Sequence, residues 1–397
     1  MKFNYKKVFL LGFGFFAVSI TWSVYNSFMP KLLNNFTQNA ALIGFIMTID
    51  NYLALFIQPA VGTYSDNHET RFGKRMPFLI IGMPAAAIFL FLIPQYTSLK
   101  SLILLLLFMN LSMSIFRAPV IALMPDITPL PLRSKANSII NMMGGIGAVT
   151  AYFLGAVLWN KNAAYPFYLS GILVIISLIV LVSNINEKRD SIKFDKNFES
   201  DNKINDDNTM EEKTDKKSII FLFAAICFYF IAYQGIEAFF TLYGEKYLGI
   251  SVGAAVTSFT FISLSFLIFA YPAGLIGTKF GKKKTMISGI IGLAAGFFLI
   301  ALTKNILTIR MIFIFCGFCW ALININSYPF VVQLAPAAKT GKLTGYYYFV
   351  SSVAAIVSPP LLGMLINSLS YRIVFFYGAV FFLISLFMML NVKMEGK

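Results

Sequence analysis

Long apolar runs alternate with short polar breaks along nearly the whole chain. Runs long enough to cross a bilayer fall near 8–33, 40–64, 77–95, 99–122, 135–159, 163–185, 218–247, 252–277, 285–303, 306–332, 342–367 and 371–391. Each is close to the ~20 residues that a ~30 Å hydrocarbon core requires. Lipid offers no partner to a backbone N–H or C=O, so runs of this kind close their hydrogen bonds internally as helices. The pattern predicts an all-α membrane protein with twelve transmembrane helices. One long polar tract interrupts it. Residues 186–217 carry 8 Lys/Arg and 10 Asp/Glu with little apolar content, which reads as a flexible linker. The expected organisation is a six-helix bundle over 1–185, a cytoplasmic linker over 186–217 and a second six-helix bundle over 218–397.

Composition agrees. The chain is 58% hydrophobic and 12% charged, against about 25% charged in soluble domains. The net charge of +15 is carried by basic residues in short loops, a topology signal and not a nucleic-acid face. With both termini inside, cytoplasmic segments collect 24 of the 32 Lys/Arg and outer loops collect six. That ratio supports an even helix count, cytoplasmic termini and a multi-pass protein of the plasma membrane (cell inner membrane). Val8 to Leu33 is too long for a cleavable signal peptide. Cys227, Cys316 and Cys319 all lie in apolar runs, and Cys316-Gly-Phe-Cys319 has no second cysteine pair or histidine to complete a metal set. No metal and no cofactor are expected. No nucleophile–base pair or phosphate loop is present, so an enzyme is not expected.

The two halves repeat at an offset of 208. Phe72-Gly73-Lys74-Arg75 matches Phe280-Gly281-Lys282-Lys283, and Leu154-Gly155 with Asn160 matches Leu362-Gly363 with Asn367. A looser alignment of the first and seventh helices sets Asn26 opposite Glu237. Weak repeats in parallel halves are typical of transporters that rock two bundles about a central site.

The stretch from Gly274 to Lys283 resembles the major facilitator loop signature G-x-x-x-D-R-x-G-R-R, with Thr278 in place of the acid. In the first half the acid is present as Asp66, but Gly73 follows it by seven positions instead of three. This lengthened form, Ser65-Asp66 followed by Thr70-Arg71-Phe72-Gly73-Lys74-Arg75-Met76-Pro77, resembles the glycoside–pentoside–hexuronide:cation symporters, especially their sucrose/proton-like branch. Supporting segments are Thr48-Ile49-Asp50-Asn51, Gln58-Pro59-Ala60-Val61-Gly62, Arg117-Ala118-Pro119, Ala122 to Pro129, Leu132 to Asn137 and Gly235 to Phe240. The resemblance implies a major facilitator fold of two pseudo-symmetric six-helix bundles and a sugar–cation symporter. The similar sodium-coupled melibiose permeases carry paired acids a turn apart on helix 2. Here Asp50 is followed by Ala54 and Gln58 at those turns, and a lone carboxylate suits a proton better than a cation that wants several oxygens.

Asp50 and Glu237 are the only acids near the middle of apolar runs. A carboxylate in a bilayer is costly and marks a functional site by default, and burial favours its protonated form. Both are expected to carry the coupled proton; the structural reading is an acid paired inside the bundle. Sugars require flat apolar surfaces and amides or carboxylates for their hydroxyls. Candidates for substrate binding are Trp22 and Asn26 on helix 1, Asn51 on helix 2, Asn110 on helix 4, Asn141 on helix 5, Tyr233 and Gln234 on helix 7, and Trp320 and Asn324 on helix 10. Helical spacing places each set on one face, although such residues also bridge helices for packing. A cytoplasmic gating set is expected from Asp66, Arg71, Gly73, Lys74, Arg75, Arg117, Asp126, Arg133, Gly281, Lys282 and Lys283, with Arg117 joining Asp66, Asp126 and Arg133. The bland reading of these charges is topology alone. Arg310 is expected to snorkel to the interface, Ser358-Pro359-Pro360 to kink helix 11, and His68 to sit solvated in a loop.

The expected activity is proton-coupled sugar uptake by a monomer in the bilayer, with a disaccharide or glycoside as substrate. The rival readings are a drug or metabolite/proton exporter on the same fold, which predicts a more apolar cavity, and a non-transporting sugar sensor, which requires a folded cytoplasmic module.

Overall fold

The computed structural model describes residues 5–129, 132–190, 216–333 and 340–393. Twelve helices in it are long and apolar enough to cross a membrane. In the first half they are α1 (Tyr5–Asn34), α2 (Ala40–Asn67), α3 (Met76–Gln95), α4 (Leu99–Ile127), α5 (Lys135–Trp159) and α6 (Tyr165–Asn184). In the second they are α7 (Lys217–Lys246), α8 (Val252–Phe280), α9 (Lys282–Ala301), α10 (Ile306–Gln333), α11 (Leu343–Leu369) and α12 (Ile373–Leu390). No β-strand occurs among the described residues; the one isolated bridge joins Thr70 and Gly73.

Local chemistry fixes several helix starts. Asn39 accepts the Leu42 N–H at the start of α2, Ser251 accepts the Ala254 N–H at the start of α8, and Ser98 and Ser101 form a reciprocal capping box on α4. Each satisfies donors that a helix N-terminus leaves open. The ridge of α2 is broken once. Thr48 stands between two helical pieces, Ala40–Met47 and Ile49–Asn67, and its hydroxyl donates to the Phe45 carbonyl at 2.8 Å. The break sets Asp50 in the first turn of the second piece. Negative charge is favoured there by the unpaired N–H groups and the helix dipole.

The same packing plan serves both halves. In the first, α1 packs on α5 and α6, and α4 packs on α2 and α3. In the second, α7 packs on α11 and α12, and α10 packs on α8 and α9. The halves meet along α2 with α11, α5 with α8, and α1 with α7. An even number of spans places both termini at one end of the molecule, here termed the terminus end. The far end is tightly closed. Gly44 of α2 lies against the Pro359 carbonyl of α11, and Gly363 of α11 lies against the Ala40 carbonyl of α2. A side chain at either glycine would strike backbone, so these two helices touch only because both positions lack a Cβ. Asn367, at the end of α11, accepts the Ala40 N–H at 2.8 Å and donates to Asn39 Oδ1 at 2.7 Å. Its repeat counterpart Asn160, at the end of α5, packs on Gly253 at the start of α8. The repeat thus builds the same corner twice.

The interhalf tract begins as an anchored structure. Glu187–Asp190 is one helical turn, and Glu187 is buried. The expectation of a linker free from residue 186 is corrected to that extent: the Glu187 carboxylate is taken up by the N-terminus of α3. Residues 191–215, the bulk of the expected linker, lie outside the described residues. The chain is helical through Ser358-Pro359-Pro360, and Ser358 Oγ donates to the Ile231 carbonyl at 2.5 Å.

Candidate functional site

Between the bundles lies a cavity of about 250 Å³ lined by Trp22, Asn26, Met47, Asp50, Asn51, Arg117, Gln234, Glu237, Ala238, Ala355 and Pro359. Five helices build it: α1, α2, α4, α7 and α11. Its lining holds two carboxylates, one guanidinium, three amides and an indole.

The break in α2 delivers Asp50 and Asn51 together. The Asn51 amide donates to Asp50 Oδ1 at 2.9 Å. Arg117 of α4 is the cation that faces Asp50. Its guanidinium carbon also lies 5.7 Å from the centre of the Trp22 ring, within cation–π range. The Trp22 ring meets Tyr25 edge-on at 5.6 Å. The buried indole N–H of Trp22 has no hydrogen-bond partner among the described residues. Across the cavity, Asn26 Nδ2 of α1 donates to Glu237 Oε1 of α7 at 3.3 Å. The residues that the repeat aligns therefore meet across the bundle boundary. The Tyr152 hydroxyl of α5 also meets this carboxylate, and it meets Ser23 of α1 as well. The cavity wall presents donors, acceptors, charge of both signs and one flat ring. That set can orient a hydroxylated ligand and hold a proton.

Of the residues expected to bind substrate or proton, Trp22, Asn26, Asp50, Asn51, Gln234 and Glu237 come together here. Others do not. Tyr233 and Trp320 stack on each other, with centroids 4.1 Å apart and planes within 3°. Trp320 is 7% exposed and sits in an aromatic group with Tyr229 and Phe230. Asn110 is buried outside the cavity lining. Asn141 spends its amide on the Asn137 carbonyl of its own helix at 2.8 Å. Asn324 is half-buried and outside the lining, while its neighbour Asn326 bridges α10 to the Ala273 carbonyl of α8 at 3.0 Å. Helical spacing identifies a shared face but not how much of that face reaches the cavity.

The gating set divides in the same way. Arg75, just before α3, is its centre. It donates to Asp126 Oδ2 at 2.8 Å and also bonds Asp66 and the Ser65 hydroxyl. Burial lowers the affinity of its guanidinium for a proton, but Asp126 and Asp66 more than offset this and hold its pKa above the ordinary value. Gly73 has φ of 109°, a conformation that favours glycine. That turn presents the Lys74, Arg75 and Met76 N–H groups to the Glu187 carboxylate at 2.7–3.0 Å. Lys74 Nζ reaches the Asp66 carbonyl at 2.9 Å, and Arg71 lies over the Phe72 ring. Arg133 caps the end of α4 through the Pro125 and Thr128 carbonyls at 2.9 and 3.2 Å. In the second half Gly281 has φ of 89°. Lys282 donates to the Pro329 carbonyl at 3.1 Å and Lys283 to the Val392 carbonyl at 2.6 Å.

Arg117 does not belong to this network, contrary to expectation. The expected span ended at residue 122, which puts Arg117 five residues from the terminus end. In fact α4 runs to Ile127, and at 1.5 Å per residue ten residues sink Arg117 roughly 15 Å. Arg310 lies near the start of α10, at the far end. Its guanidinium donates to the first turns of α8, at Ser258 Oγ (3.2 Å) and the Ala254 carbonyl (3.3 Å). His68 is exposed as expected and stacks on Tyr64 at 4.0 Å. Among the described residues, no three His, Cys, Asp or Glu side chains gather as a metal would require.

Sequence reasoning missed Tyr152, Glu187, and the ion pair between Lys31 of α1 and Glu245 of α7. A signal existed for Glu187, since an acid directly after a predicted span is a candidate cap. None existed for Tyr152, one tyrosine among nineteen.

Comparison with known proteins agrees with this architecture. The Major Facilitator Superfamily profile matches residues 11–271 and 222–395. Solute carrier family 45 member 3 of Mus musculus is 25% identical over 190 residues, 43% of this chain and 34% of that protein. The match thus spans about a third of that relative's length. Among solved structures, a bacterial homolog of the human lysosomal transporter Spinster, inward-facing and occupied, superposes with a TM-score of 0.76 at 12% identity, covering 99% of this chain and 97% of that one. The nucleoside transporter NupG gives 0.73 at 16% identity over 98% of both chains. A POT family transporter in complex with 5-aminolevulinic acid gives 0.76 at 14% identity over 97% and 96%. At these identities the three structures speak to the fold alone. With a profile match running almost end to end and twelve membrane-grade helices among the described residues, the chain belongs to the Major Facilitator Superfamily.

Proposed function

We propose that this secondary transporter is a proton-coupled sugar symporter that takes up a disaccharide or glycoside by alternating access, with Glu237 and Asp50 carrying the proton. The observation that carries the reading is the lining of the central cavity. Trp22 offers a flat face and an unspent N–H, and Asn26, Asn51 and Gln234 offer both donors and acceptors. These are the groups that ring hydroxyls and sugar faces engage. Two carboxylates in the same cavity supply sites where a proton can be gained on one side of the membrane and lost on the other. Alternating access requires the loaded and empty carrier to favour different states, hence different affinities in the two. The protein is read as a monomer of the plasma membrane, needing no cofactor.

The test is uptake of labelled sucrose and maltose into proteoliposomes under an imposed inward proton gradient, with a sodium gradient as control. Accumulation driven by the proton gradient alone supports the reading. No accumulation of either sugar under either gradient removes the sugar assignment and brings the exporter reading forward.

A further inference from the structure

The bond between Asn26 and Glu237 is more than a feature of the cavity wall, because it crosses from one bundle to the other. α1 and α5 belong to the first bundle and α7 to the second, so Asn26 and Tyr152 grip a carboxylate that travels with the opposite half. The side-chain bonds joining the halves among the described residues include three further links, all beyond Glu237 toward the far end. Lys31 pairs with Glu245 farther along α1 and α7 toward the far end, and Asn367 binds both the Ala40 N–H and Asn39. Glu237 is therefore the innermost rung of a ladder that shuts the far end. It is also the rung that lines the cavity.

Tyr152 is well placed to hold that rung. It is 6% exposed, its ring stacks on Phe259 of α8 at 5.4 Å, and its hydroxyl lies between Ser23 and the Glu237 carboxylate. It thus touches α1, α7 and α8 from its position on α5. Both Asn26 Nδ2 and the Tyr152 hydroxyl are donors. An ionised carboxylate accepts from both, and such bonds are about twice as strong as neutral ones. A protonated Glu237 has one fewer acceptor site and no charge, which weakens the rung without removing it.

We propose that Asn26 and Tyr152 are positioning residues that clamp the Glu237 carboxylate across the bundle boundary, so that the charge on Glu237 sets whether the far end stays shut. Ionised Glu237 holds the far end closed; neutral Glu237 lets it open. The proposal deepens the symport reading and rests on it only for the direction of the proton. The other charged and titratable groups that face Glu237 are Asp50 of α2 across the cavity, Tyr152 of α5 and Tyr233 of its own helix, with Arg117 of α4 facing Asp50. Asn26 and Trp22 of α1, Phe259 of α8 and Trp320 of α10 carry no charge.

The experiment is a distance measurement by electron–electron resonance on the full chain in lipid nanodiscs, without sugar or gradient. Spin labels go on Lys161→Cys, between α5 and α6, and Lys304→Cys, between α9 and α10, which are exposed at the far end of opposite bundles. The background carries Cys227→Ser, Cys316→Ala and Cys319→Ala. Alkaline buffer should give the short distance, and acid buffer should add a long component. Glu237→Gln, which is isosteric, should show the long component in both buffers. Tyr152→Phe should raise its share in alkaline buffer while keeping part of the response, and Asp50→Asn should still gain a long component in acid, because Glu237 remains titratable. Identical distributions for Glu237→Gln and the parent in both buffers would overturn the proposal. So would a response that survives Glu237→Gln and vanishes in Asp50→Asn. If Tyr152→Phe matches the parent, the clamp role of Tyr152 is wrong. Because no substrate is present, a failed sugar-uptake assay leaves this result standing, and a failed distance experiment leaves symport to be judged by uptake.

Discussion

The two halves of the molecule are built to one plan but charged differently. Each ends its second span in a loop with a positive-φ glycine, Gly73 or Gly281, followed by basic residues. In the first half the basic centre is enclosed: Arg75 is bonded by Asp66, Asp126 and Ser65, and its backbone is bound by Glu187. In the second half Thr278 replaces the acid and bonds its own helix at the Gly274 carbonyl, 3.0 Å away. Lys282 and Lys283 turn instead to carbonyls near the ends of other helices, where a cation complements the helix dipole. The cavity is asymmetric too. The first half contributes Asp50 together with the facing cation Arg117, while the second contributes Glu237, met by an amide and a phenol. The glycine turns and packing partners, which the backbone needs, occur in both halves. The charges do not repeat between the halves.

The sharpest way to probe that asymmetry is to neutralise one acid in each half. Glu237→Gln should reduce proton-driven accumulation to background, and Asp50→Asn should reduce it strongly while leaving Glu237 clamped; vesicle uptake reads both. The loops give the next effect. Arg75→Ala leaves Asp126 partly buried without its partner and should cost roughly 2–3 kcal/mol. Lys283→Ala should cost under about 1 kcal/mol, because its carbonyl partners remain within reach of water. Thermal unfolding in detergent should therefore show a clearly larger fall in Tm for Arg75→Ala; equal falls would mean that the acid cage adds nothing. At the far end, Lys31→Ala removes a partly exposed ion pair and should shift the balance toward opening by roughly 0.5–1 kcal/mol. The smallest effect lies at the start of the interhalf tract. Burial pushes the Asp190 carboxyl up, but bonds from Lys7 and Arg189 and the Asn186 N–H outweigh it, so its pKa is below the ordinary aspartate value of 3.8. Its contribution to stability is full above that value and is lost as pH falls through the lower, folded pKa. Asp190→Asn should flatten that part of the acid unfolding profile.

Much of the fold was legible in the sequence, since the hydrocarbon core dictates span length and a polar loop ends a span. The first expected span, 8–33, became Tyr5–Asn34, and the tenth, 306–332, became Ile306–Gln333. The break at Thr48 was not legible, because neither proline nor glycine marks it and a threonine hydroxyl bonded to Phe45 fits an unbroken helix as well. The site was legible in part. Asp50 and Glu237 stood out because an acid in lipid is costly. Arg117 was misplaced by an α4 whose polar-looking end, Met124-Pro125-Asp126-Ile127, is still helix. Asn110, Asn141 and Asn324 carry the right chemistry, but periodicity tells which residues share a face and not which neighbour the face meets. Tyr152 matters through its contacts with α1, α7 and α8, and only the assembled bundles bring those together.

The most direct test of the account sets two assays on Glu237→Gln side by side: gradient-driven accumulation, and exchange of labelled for unlabelled sugar at equal pH. If Glu237 couples the proton, accumulation is lost while exchange persists, because the cavity still binds and reorients its ligand. Accumulation retained at the parent level would contradict the account and remove Glu237 from the proton path.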